Sequence, residues 1–259
     1  MHDTTTAISI KTAPAGRGLD WLLDGFALFW KNWLTWIGVT AFLIILSLLS
    51  NVVPVLGGLV LQLIFPVFIG GLMLGCQAAD QGDGFTFEYL FSGFTRRTGQ
   101  LLVIGVIHLL GIAIILVICG LMLVATMGGI DALMEAVSSI YAAFVAIDIN
   151  RMIELVGPLA QVVLLVELIG LALYIPLLVL VWFAPALIVL EDMNAVTAMK
   201  VSFIGCLKNI IPYLVYGVIG LIFTVIATIP LGLGWLVLIP MTIVSIYLAY
   251  KDIFQKHST

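Results

Sequence analysis

Six apolar stretches, each about as long as a bilayer's hydrocarbon core is thick, dominate this sequence. Such a core is about 30 Å deep, and a helix needs about 20 residues to cross it. The stretches are Trp33–Ser50, Leu59–Ala79, Leu101 to about Met127, Leu159–Leu190, Ile210–Ile229 and Trp235–Tyr250. Turn-forming residues separate them: Asn51 through Gly58, Asp80 through Gly84, Gly128-Gly129, Glu191-Asp192 and Pro230 through Gly234. None alternates as a barrel strand would, and backbone in lipid must otherwise satisfy its polar groups as helix. Composition leaves no soluble alternative. Of 259 residues, 63% are apolar and 9% charged, whereas a soluble domain carries about 25% charged residues. The expected fold class is an all-α integral membrane protein with six transmembrane helices. A disordered chain and a basic nucleic-acid binder are excluded on the same grounds.

The basic residues set the expected orientation. With an even number of spans both termini share one side, and nine of the 10 Lys and Arg residues fall on it, leaving only Arg151 opposite. The positive-inside rule places that side in the cytoplasm. Residues 1–17 read as a flexible cytoplasmic N-terminus without an apolar signal region, and 251–259 as a cytoplasmic C-terminus. Cys76, Cys119 and Cys206 have neither disulfide nor zinc spacing, and no cofactor or metal is expected.

Within residues 18–250 the chain resembles itself. Phe26, Lys31-Asn32 and Trp36 recur as Phe203, Lys208-Asn209 and Tyr213, with a weaker copy in Phe91 and Arg96-Arg97. The turn at Pro54 matches that at Pro230, and each second span holds an interior proline: Pro66, Pro176 and Pro240. The expected plan is three repeated helical hairpins (18–79, 85–190 and 194–250), each opened by a cytoplasmic interfacial amphipathic helix. Leu19, Leu22, Leu23, Phe26, Phe29, Trp30 and Trp33 share one face of the first. Phe87, Leu90, Phe91 and Phe94 outline the second, and Val196, Met199, Phe203 and Leu207 the third, with Asn194 as N-cap. Lys31, Arg96, Arg97 and Lys208, near the ends of these segments, are candidates to face anionic headgroups.

The middle hairpin alone carries an insertion, 128–158. Ile130, Leu133, Met134, Val137, Ile140, Tyr141, Phe144 and Val145 fall at helical spacing, opposite Glu135, Ser138, Ser139 and Ala142. This predicts an acidic amphipathic helix on the outer face, followed by a short helix opened by Asn150. It reads as a docking surface or lid, or as a segment resting on the membrane. Two ionisable groups lie well inside spans, His108 and Glu167. Counted from Leu101 and Leu159 they fall within roughly 7 Å in depth, which permits a polar pair.

The run from Ala184-Pro185 through Glu191, Ala198 and Ser202 to Lys208-Asn209 carries a pattern of its own. It resembles the YciC-like family of bacterial inner-membrane proteins, and also the membrane domain attached to some glycerophosphodiester phosphodiesterases. The match is good from Pro185 to Tyr216, weaker around Phe26–Trp36 and thin elsewhere. The resemblance implies a multi-pass helical protein of the bacterial inner membrane and supplies no catalytic residue.

No P-loop, HExxH, GxSxG or metal-spaced cluster is present. The sequence therefore favours a non-enzymatic scaffold, accessory or lipid-associated subunit of a membrane assembly. Its expected partners are membrane lipids and a partner membrane protein or further copies of itself, with no nucleic acid. The alternative is a small-solute transporter or channel built on His108 and Glu167.

Overall fold

The computed structural model describes residues 9–254, which contain helices and no strand. In chain order these are α1 (Arg17–Lys31), α2 (Trp33–Ser50), α3 (Leu56–Gln81), α4 (Tyr89–Ser92), α5 (Thr98–Thr126), α6 (Ile130–Val145), α7 (Ile149–Trp182), α8 (Ala184–Glu191), α9 (Ala195–Lys208), α10 (Ile210–Thr228) and α11 (Trp235–Phe254). Six segments are long and apolar enough to cross a bilayer: α2, α3, α5, the run Leu159–Glu191 through α7 and α8, α10 and α11. The fold is an all-α integral membrane protein. Two compact units divide it, one comprising the chain up to Ile107 together with Val179 onward, the other His108–Leu178.

The first and third hairpins repeat each other in detail. Asn32 breaks the chain between α1 and α2 with φ −134° and ψ 36°, and Asn209 does so between α9 and α10 with φ −117° and ψ 30°. Each asparagine N–H donates three residues back, to Phe29 and Cys206, and each carbonyl accepts four residues ahead, from Trp36 and Tyr213. Farther along, Gly57 abuts Ser50 and Gly234 abuts Ala227, where a side chain would strike backbone. These pairs keep one constant offset, which sets Pro54 opposite Leu231 and one position off the expected partner, Pro230.

Three features depart from the sequence expectation. The apolar face assigned to α1 is two faces. Leu22 and Phe29 are buried with Trp21 and Leu28, while Leu19, Leu23, Phe26 and Trp30 stay exposed. Asp20, Asp24 and Lys31 fill the remaining sector, so α1 meets protein, an apolar medium and a polar one. The second amphipathic segment forms only the single turn α4. Phe85 stacks flat on Trp36 with centroids 3.9 Å apart, Leu90 is buried, and Gly93 abuts the Val67 backbone. Pinned at these points, the segment folds compactly, and Phe87, Phe91 and Phe94 cluster on its exposed side with Phe42 and Phe68.

The fourth span, read as Leu159–Leu190, is interrupted at Phe183, between α7 and α8. Here the Ser202 hydroxyl enters the helix ladder, accepting from the Phe183 N–H at 3.0 Å and donating to the Val179 carbonyl at 2.8 Å. Those two backbone groups would otherwise bond each other, and Pro185, which lacks an N–H, opens α8 just beyond. Pro176, the interior proline of this span, lies within α7. The short helix expected from Asn150 is instead the start of α7, capped where the Asp148 carboxylate accepts from the Arg151 N–H at 3.0 Å.

The N-terminal segment, expected to be flexible, is bonded to the last helix where it is described. The Lys11 N–H donates to the Ile253 carbonyl at 2.9 Å. Residues 251–254 are the last turn of α11. Residues 1–8 and 255–259, Lys256 among them, lie outside the described residues.

Candidate functional site

The polar side chains gather where the return helices α3, α8 and α11 end. Each ends near an acid: Asp80, Glu191 and Asp252. A carboxylate near a helix C-terminus opposes the helix dipole and needs compensating donors. The α11 turns beside them supply most of these. Tyr247 donates to Asp80 at 3.0 Å, with Lys251 bonded to the same carboxylate, and Tyr250 donates to Glu191 at 2.5 Å. Asp252 accepts from the Trp21 indole at 2.8 Å and from Arg17 Nε at 2.8 Å. Partial burial pulls the Arg17 guanidinium's pKa down, but Asp252, with Asp20 and Asp24, holds it above its ordinary value. The network ties α1, α3 and α8 to the last three turns of α11.

Sequence reasoning missed this network, although its signal was present as an acid near the end of every return span. Replacing Asp252 tests its weight. Asp252→Leu leaves the buried Trp21 N–H without an acceptor and is expected to lower stability by about 2 kcal/mol. Asp252→Asn keeps one acceptor oxygen and should lose about half as much. Thermal melting of the detergent-solubilised protein reads the difference.

Asn209 is the second hub. Its Oδ1 accepts from the Ala13 N–H at 2.7 Å, and its Nδ2 donates to the Lys11 and Gly205 carbonyls, both at 2.9 Å. A buried asparagine thus straps residues 11–13 across the junction of α9 and α10. At the opposite end of α9, Asn194 caps the helix through the Thr197 N–H at 2.9 Å, and Gln100 accepts from the Ala195 N–H at 2.7 Å. Burial pushes the Cys206 thiol up to about 12, which makes it a poor nucleophile.

The basic candidates separate into two kinds. Lys31, Arg96 and Lys208 are exposed. Arg97 instead reaches Asp192, bonding its carboxylate at 2.7 Å and its carbonyl at 2.5 Å. That guanidinium holds the Asp192 carboxyl below the usual carboxylate range.

His108 and Glu167 do not meet as a pair. His108 is buried, its ring centroid 6.1 Å from that of Tyr174. Glu167 is exposed in an apolar groove of about 410 Å³, with Ile112, Cys119, Val166, Gly170 and Tyr174 in its walls. The Cys119 thiol contacts the Val166 carbonyl at 3.9 Å and leaves 2.9 Å to a side chain placed at Gly170. Glu167 therefore stands level with Cys119, eleven residues along α5 from His108, or roughly 17 Å. The depth count misled because it allowed both spans a core of about 30 Å, whereas α5 runs for 29 residues, roughly 43 Å, which sets Cys119 and Glu167 well beyond the depth of His108. Among the described residues no group of three His, Cys, Asp or Glu is placed to hold a metal ion.

Comparison with known proteins agrees with the class. No family model matches the chain, and no solved structure matches it. It is similar to a protein of Burkholderia thailandensis named "probable inner membrane protein", with 26% identity over 209 residues covering 79% of this chain and 72% of that one. The chain is a multi-pass integral protein of the bacterial inner membrane.

Proposed function

We propose that this inner-membrane protein is a non-enzymatic structural component, a scaffold or accessory subunit that holds lipid and a partner membrane protein on its apolar helix faces. One observation carries the reading. The residues of the repeated and family-like patterns are engaged in holding the chain together: Ser202 in the α7–α8 break, Glu191 with Tyr250, Asn209 on the N-terminal strap. A pattern used internally in this way marks an architecture. It is in keeping with a YciC-like protein whose termini face the cytoplasm, where Lys31, Arg96 and Lys208 would meet anionic headgroups.

The transporter alternative loses support from the separation of His108 and Glu167, since two groups roughly 17 Å apart along the helices cannot share a proton directly. Mild-detergent purification followed by mass spectrometry of proteins and lipids tests the proposal. A partner membrane protein present in stoichiometric amount, and unaffected by Glu167→Gln, is the expected result. A bound small solute whose retention Glu167→Gln or His108→Gln abolishes, in a normally folded protein, would overturn it in favour of transport.

A further inference from the structure

The insertion helix α6 divides its surface into three sectors. Ile130, Met134, Val137, Tyr141, Phe144 and Val145 form an exposed apolar stripe. Asp131, Glu135 and Ser138 form an exposed polar one beside it, and Ala143, with the half-buried Ala132 and Ala136, forms the packed side. α1 shows the same partition. A helix buried by protein on one side needs only two kinds of surface if water takes the rest. Three kinds call for three media.

Helix length says which third medium is within reach. α2 and α10 have 18 and 19 residues, enough for a core about 30 Å deep at 1.5 Å per residue. α5 has 29 and α7 has 34, roughly 43 and 51 Å. Helices this long either project from the bilayer or tilt within it. Projection would leave the α6 stripe in water, together with Ile147 and Ile153, which are also exposed, an apolar patch that a solvated surface rarely carries. Tilting brings α6 down to the outer interface, where the stripe enters the acyl boundary and Tyr141 takes the place usual for interfacial aromatics.

We infer that α6 is embedded in the outer leaflet, with its apolar stripe covered by lipid. Asp131 and Glu135 border the stripe on the water side and disfavour anionic headgroups there, so the contact is with acyl chains and zwitterionic lipid.

A cysteine added at Val137 in the stripe or at Ser138 in the polar sector, each in a Cys119→Ala background where the other native thiols, Cys76 and Cys206, are buried, tests this. The full-length protein, labelled with an environment-sensitive fluorophore, is reconstituted into phosphatidylcholine–phosphatidylglycerol vesicles. Nitroxide-labelled phosphatidylcholine should quench position 137 severalfold more than 138, and iodide on both sides of the membrane should do the reverse. Tyr141→Cys gives a second stripe position should Val137→Cys not fold. Equal iodide quenching at both sites would place α6 in water, and protection of 137 from both quenchers would mean that protein covers it. Either result overturns the inference.

Discussion

Asn209→Ala is expected to release the N-terminal strap and lower stability by about 3 kcal/mol. The amide makes three hydrogen bonds from a nearly inaccessible position. Its removal strands the Ala13 N–H and the Lys11 and Gly205 carbonyls, and each unsatisfied buried group costs about 1–3 kcal/mol, less where the freed strap can reach water. Asn209→Asp should do no better, because its carboxylate would face two carbonyls that need donors. Trypsin supplies a readout specific to the strap. Cleavage after Lys11 should be slow in the native protein and rapid in Asn209→Ala at temperatures where α1–α11 remain folded. If cleavage and melting are both unchanged, Asn209 does not hold the strap.

This strap also marks where the sequence becomes illegible. Hydropathy alone locates the spans, because a helix in lipid must be apolar over its whole length whatever surrounds it. Asn194 could be read as a cap because capping depends on residues three apart. The role of Asn209 depends on residues 11–13, nearly two hundred positions away, and its neighbour Lys208 looks the more functional of the two. The middle amphipathic segment failed for a related reason. Its spacing is helical, but Phe85, Leu90 and Gly93 each answer to a tertiary partner that outweighs the local period. The register of α5 against α7 is the hardest case. Both are apolar around most of their circumference, so their few polar residues do not set one against the other, and the Cys119–Gly170 approach that places Glu167 far from His108 exists only in three dimensions.

Close approach of backbones governs the second large effect, Gly93→Ala. A methyl group at Gly93 would land on the Val67 carbonyl oxygen, with the Gly71 amide nitrogen only 3.0 Å away. Gly71 in turn leaves no room for a side chain against the Tyr89 carbonyl. Two glycines thus let the α4 segment lie directly on α3, and that contact keeps Leu90 and Phe68 buried. Backbone cannot yield as a side-chain tip can, so α4 must lift, exposing both residues, and the expected loss is about 3 kcal/mol or more. Gly99→Ala is the matched control. It lies in the first turn of α5 with open space around it, and replacing a helical glycine there should stabilise by about 0.5–1 kcal/mol. Melting the two variants side by side in detergent separates the effects, since they should move in opposite directions. A Gly93→Ala protein that melts with the parent would mean that α4 does not rest on α3 as the geometry requires.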